Sequence, residues 1–214
     1  EDPGEADALA REHEETRAHA RAFLGLPASA TLEEIQAAFG ESLWDFWTFF
    51  FEHFRRDDAG HESEGAPYQR EFCESIQALV TEGEPGDELA RAYPREHAKS
   101  VFGTLVTPLW ATASGHRRFA FLFSDTDTQA WGFLEDIRVE VDTNDRLQAI
   151  YPDFCQWGAQ PRVNRLVFGN GAILMAAGSG KSVRGARKGA QRPDFIVLDD
   201  IENDEEVENP ARRR

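Results

Sequence analysis

The chain has 214 residues, a formal net charge of −16 and only two cysteines, so it is long enough to bury one sizeable core and needs no disulfide staples. Its most apolar run, residues 43–54, is broken by Asp45, Glu52 and His53 and is shorter than the ~20 residues of a membrane-spanning helix, which excludes an anchor there. Cys73 and Cys155 have no metal-ligand spacing, and the start carries no secretory pattern, so a reducing, cytoplasmic home is expected. With no initiating Met and a last residue Arg214, the chain is expected to be a fragment of a longer protein.

The bulk charge argues against nucleic-acid binding, because phosphate contacts need Lys and Arg. The distribution argues otherwise. Residues 158–193 carry seven bases and no acid, whereas residues 1–66 carry sixteen acids against five Arg, and 199–208 hold seven acids in ten positions.

In chain order, residues 5–24 are rich in Ala, Glu and Arg and predict an exposed helix stopped by Gly25-Leu26-Pro27. Thr31 and Glu34 form a capping-box pattern that opens a second helix. A third is predicted at 42–55, with Leu43, Trp47, Phe50 and Phe54 on one stripe and Trp44 and Phe51 widening it as core. Residues 57–67 read as a polar connection, 68–81 as an amphipathic helix and 82–87 as a turn. From there the pattern alternates. A strand is expected at 89–93, a helix at 99–110 that Pro108 ends early, a strand at 118–124 and a helix at 126–141. Residues 164–178 read as a hairpin around Gly169-Asn170-Gly171, and 194–200 as a fully buried strand ending in acids. That order fits a mostly parallel sheet flanked by helices, an α/β fold preceded by an all-helical extension over 1–65.

Two lysines compete for a phosphate. Lys181 follows Gly178-Ser179-Gly180 and precedes Ser182, yet the next eleven residues hold two Gly and a Pro, which defeats the helix that a phosphate loop must open. Only seventeen residues separate Lys181 from Asp199, too few for a parallel crossover built around a helix. Lys99, in Tyr93-Pro94-Arg95-Glu96-His97-Ala98-Lys99-Ser100, has an expected strand before it and a helix after it, although Tyr93 and Ala98 replace the usual glycines. Far downstream, the apolar run 195–198 delivers Asp199 and Asp200 at a strand end, the arrangement that seats a metal-assisting carboxylate and an acid for an attacking water.

With these stretches in order (66–72, 93–101, 121–141, 178–200 and 201–214), the sequence resembles the N-terminal ATPase domain of phage and prophage terminase large subunits, the motors that package viral DNA. The resemblance implies an ASCE-type P-loop NTPase domain over 66–214, with ATP and Mg2+ as cofactors. It implies a nucleotide loop of Pro94, Arg95, Glu96, His97, Ala98, Lys99 and Ser100, with Arg95 at the γ-phosphate and Ser100 and Asp199 toward the metal. Asp200, or alternatively Glu202, stands where the family has its catalytic carboxylate, usually Glu. Tyr68 and Gln69 fall where the family contacts adenine. Ser182, Arg184 and Gly185 match a family segment that accounts for the Lys181 string. Arg162, Arg165, Arg184 and Arg187 are candidates for an arginine finger or for DNA contact. Implied partners are double-stranded DNA, a portal protein, a small terminase subunit and further copies of the chain in a ring, with no membrane; the setting is the host cytoplasm. The family's nuclease domain has no counterpart here, so no DNA cleavage is expected. Two alternatives stay open: a helicase-like DNA translocase, and a non-enzymatic nucleic-acid-binding or capsid-assembly module with a decayed nucleotide site.

Overall fold

In a computed structural model the described residues are 3–55, 66–84, 86–90, 100–179 and 192–201. They divide into two compact units, residues 1–92 with 140–156 and residues 93–139 with 157–214.

The first unit is helical: α1 (Pro3–Phe23), α2 (Leu32–Gly40), α3 (Leu43–Phe50), a 3-10 turn at Glu52–Phe54 and α4 (Pro67–Glu82). It is larger than the segment 1–65, because α4 packs on α3 and a later excursion of the chain packs on α1. Local chemistry sets each boundary. Gly25 adopts φ 66, and the Leu26 N–H reaches the Arg21 carbonyl at 2.8 Å while Gly25 N–H reaches Ala22, a Schellman ending of α1. Thr31 and Glu34 form the expected reciprocal cap of α2 at 3.2 and 2.6 Å. The aromatic stripe of 42–55 is core, as its periodicity predicts: Leu43, Trp47, Phe50 and Phe51 are buried, and so are Phe46 and Phe49 on the neighbouring face. The helix itself stops at Phe50, and Phe54, carried by the 3-10 turn, is 46% exposed.

In the second unit, the expected helix at 99–110 is divided. A π-helical turn spans Val101–Val106, and α5 (Thr107–Ala113) continues past Pro108, which occupies its first turn. The helical run is unbroken from 100 to 113, with helical backbone angles at Val106 and Thr107, so Pro108 lies inside it rather than ending it, directly after the π turn where the regular ladder is already altered. Strand β1 (Phe119–Ser124) is buried along its whole length. Helix α6 (Asp127–Thr143) follows, with its last four residues in the first unit. Then come α7 (Asp145–Ile150) and α8 (Pro152–Cys155) of the first unit, and β2 (Arg165–Val167), β3 (Ile173–Gly178) and β4 (Phe195–Leu198) of the second.

The four strands form one mixed sheet in the order β2-β3-β1-β4. Strand β1 runs parallel to β3 on one side and to β4 on the other, and β2 is antiparallel to β3, giving the expected hairpin. Phe119, Phe121 and Phe123 project to one face and pack with Ile173. The chain is therefore α/β, with a sheet that is mostly parallel. Strand β4 departs from expectation: it is not fully buried, and its residues alternate, with Ile196 53% and Leu198 59% exposed. Among the described residues it bonds only to β1, so it forms a margin of the sheet with one edge unpaired. Leu89 and Ala90, the first residues of the expected strand at 89–93, are irregular, and 91–93 lie outside the described residues.

Candidate functional site at the carboxyl edge of the sheet

Three parallel strands end side by side. Ser124 of β1 pairs in register with Gly178 of β3, and Phe123 with Leu198 of β4, so the residues that follow each strand meet at one edge. Loops at such an edge are where open α/β sheets hold ligands. Here they are Asp125 and Thr126 after β1, Ser179 after β3, and Asp199 and Asp200 after β4.

Backbone bonds knit this edge. Asp199 donates its N–H to the Phe123 carbonyl at 3.0 Å, and Asp125 donates its N–H to the Asp200 carbonyl at 2.9 Å. Ser179 donates its N–H to the Ser124 carbonyl at 2.7 Å, and its hydroxyl to the Asp125 carbonyl at 3.3 Å. The Gly178 N–H is bound by Asp127 Oδ1 at 2.9 Å. Asp200 takes φ 49, a left-handed conformation that Asp tolerates better than most residues but that still has to be held in place by its surroundings. The Ser124 side chain is wholly buried, and its hydroxyl has no partner among the described residues.

Helix α6 opens at this edge, and one of its first-turn amides is already capped. Thr126 caps it, its hydroxyl accepting the Gln129 N–H at 3.3 Å, and the Asp127 carboxylate lies in the first turn. Together with the engagement of the Gly178 and Ser179 amides, this removes the donors nearest the end of β3 from any phosphate. Gly178 also has a packing reason. A Cβ at that position falls 2.6 Å from the Asp127 nitrogen and 2.8 Å from the Thr126 carbonyl carbon.

The structure brings Asp199 and Asp200 together at this edge. Ser100 belongs to the same unit; it has helical backbone angles at the start of the π turn, and its carbonyl accepts the Thr104 hydroxyl at 2.7 Å. Arg162 and Arg165 lie at the opposite margin. Their backbones bond to each other across a tight turn at 2.9 and 3.1 Å, and Arg165 opens β2. Three strand spacings, roughly 14 Å, separate the backbone of β2 from that of β4. Tyr68 and Gln69 belong to the first unit. Gln69 Oε1 accepts the Ala66 N–H at 2.8 Å, closing the start of α4, so that oxygen serves helix capping. Pro94, Arg95, Glu96, His97, Ala98, Lys99, Lys181, Arg184, Arg187 and Glu202 lie outside the described residues.

Among the described residues, no three His, Cys, Asp or Glu side chains gather as a metal site, and no helix is long and apolar enough to cross a membrane. A magnesium ion bound with a nucleotide needs only one or two protein carboxylates, the remaining ligands being phosphate and water oxygens, so the hard oxygen donors of Asp199 and Ser100 fit that chemistry.

The sequence signal missed here is Asp127. It stands within the expected helix at 126–141, where an acid in the first turn reads as ordinary dipole compensation, and only the fold reveals that it also grips β3. Comparison with protein-family models, with curated proteins and with solved structures returns no match to this chain.

Proposed function

We propose that the chain is the ATPase motor domain of a viral terminase large subunit, coupling hydrolysis of Mg-ATP to the packaging of double-stranded DNA into a procapsid in the host cytoplasm. The observation that carries this reading is the acid pair Asp199-Asp200 at the carboxyl end of β4, beside the end of the parallel strand β1. It supplies the two acidic roles that phosphoryl transfer needs, one toward a metal and one toward water. The order of the sequence motifs supplies the rest.

In this reading Lys99 and Ser100 hold the β- and γ-phosphates, Arg95 faces the γ-phosphate, and Asp199 supports the magnesium ion. Asp200, or Glu202 beyond it, orients the water for in-line attack. Bound Mg-ATP supplies the electrophilic phosphorus and the leaving diphosphate. The protein's own contribution is to fix the water and exclude alternatives. Lys181 is not the nucleotide lysine, a view favoured by the engagement of the Gly178 and Ser179 amides within the chain. The basic stretch 158–193 is the part that meets DNA backbone or a neighbouring copy.

The test compares the wild type with Lys99→Ala and Lys181→Ala for ATP binding and phosphate release. The expected result is loss in Lys99→Ala with retention in Lys181→Ala. The opposite pattern overturns the loop assignment, and absence of ATP binding by every form sinks the ATPase reading in favour of a non-enzymatic nucleic-acid-binding module.

A further inference from the structure

We infer that Asp127 is a positioning residue for the acid pair, acting through the turn between β1 and α6. The inference rests on the nucleotide reading above for its catalytic meaning and on geometry for its route. Asp127 Oδ1 holds the Gly178 N–H at 2.9 Å, fastening the end of β3 to the start of α6. The next residue, Ser179, grips the other side of the same turn through the Ser124 and Asp125 carbonyls. Asp125, fixed between them, donates its N–H to the Asp200 carbonyl at 2.9 Å. That bond ties down the carbonyl of Asp200, whose backbone takes the left-handed φ 49.

The contact is close as well as polar. Glycine at 178 lets β3 approach the Thr126–Asp127 backbone so tightly that a Cβ has no room, so the two segments meet in direct contact where the carboxylate bonds. Asp127 thus serves two partners at once, the α6 dipole by its charge and β3 by one oxygen. The two roles are separable by substitution. Asn keeps the acceptor and drops the charge, Glu keeps the charge and displaces the acceptor by one methylene, and Ala drops both.

The experiment measures single-turnover phosphate release from Mg-ATP by the 214-residue chain, protein in excess, alongside hydrogen exchange at the Gly178 and Asp125 amides. Asp127→Ala and Asp127→Glu are expected to slow release by about tenfold to a hundredfold, the cost of moving a reacting group by around an ångström, with ATP affinity changed less than about threefold. Both amides lose protection in these variants. Asp127→Asn is expected to stay within about threefold of wild type in rate, because its Oδ1 still accepts. Asp127→Glu keeps the charge at the helix start, so it remains informative even where Asp127→Ala fails to fold.

Wild-type release by Asp127→Glu, or equal damage in Asp127→Asn and Asp127→Glu, overturns the positioning role while leaving the ATPase reading standing. A wild type that releases no phosphate overturns the hydrolytic reading and the role of Asp127 in turnover with it.

Discussion

Asp194 clamps the start of β1 to the start of β4: its Oδ1 accepts the Phe119 N–H and its Oδ2 the Arg118 N–H, both at 2.9 Å, while its own N–H donates to the Phe119 carbonyl. One carboxylate therefore satisfies two backbone donors that the sheet leaves unpaired. Replacing it with Ala strands both, and the Phe119 donor lies in a partly buried setting. Asp194→Ala is expected to lower stability by about 2–3 kcal/mol, and Asp194→Asn, which keeps one acceptor, by about half as much. Urea unfolding of the three proteins at one pH checks the order.

A methyl group at residue 178 has nowhere to go. The clash is with backbone atoms of Thr126 and Asp127, which cannot rotate aside, so Gly178→Ala forces β3 and the start of α6 apart. We expect a loss of about 1–3 kcal/mol, the usual cost of overpacking, together with loss of the Gly178–Asp127 bond. Thermal unfolding gives the first. Faster exchange of the Gly178 amide gives the second.

Arg146 ties the aromatic helix of the first unit to α7. Its guanidinium donates to the Phe49 carbonyl and, at 2.6 Å, to Glu52, and lies over the Phe49 ring at 5.0 Å. Lysine carries the charge but neither the fork nor the flat face. Arg146→Lys is expected to destabilise by about 1–2 kcal/mol, the scale of a partly desolvated cation–π contact plus one charged hydrogen bond. Chemical unfolding monitored by Trp fluorescence measures it.

The cysteines bring an alkaline limit. Burial pushes the thiols of Cys73 and Cys155 up to about 12, with the charge of Glu74 beside the first and Asp142 beside the second adding to the effect. A raised value means that the folded chain keeps a proton the unfolded chain gives up. Stability from these thiols is therefore whole below the ordinary value of 9.0 and drains away as pH rises from there toward 12. Unfolding midpoints are expected to fall between pH 9 and 11, and less steeply in the Cys73→Ala/Cys155→Ala protein. Below pH 8 both thiols should react slowly with a disulfide reagent until urea opens the fold.

What the residues alone reveal follows from how local each signal is. The Thr31–Glu34 cap, the helical face of α6 read from Ala130, Phe133, Leu134, Ile137 and Val141, and the hairpin around Gly169–Gly171 depend on neighbours in sequence; all are present, though Phe133 is only half-buried. Pro108 reads as a stop because a proline in mid-helix costs a hydrogen bond. Here the helical run passes through it, with a π turn immediately before. Phe195–Leu198 reads as a buried strand because four apolar residues in a row carry no mark of which strands flank them; only the sheet order puts β4 at a margin. Helices α7 and α8 are short and lean on the Asn144 cap and on Pro152 at a first helical position more than on periodicity. At the site, Asp199 and Asp200 are legible as a strand end, whereas the bond that holds Asp200 comes from Asp125, seventy-five residues earlier, and no spacing rule anticipates it.

The open flank of β4 sets how the free chain behaves in solution. Among the described residues the outer side of β4 has no strand partner and Ile196 and Leu198 are exposed, a margin of the kind another strand can join. Two safeguards oppose that. The strand is four residues long, and it runs straight into the most acidic stretch of a chain with net charge −16, so two copies approaching flank to flank repel. Because mobile ions blunt repulsion beyond about 10 Å at 0.1 M salt, the safeguard is electrostatic and conditional: it is expected to hold in dilute buffer and to weaken in concentrated salt.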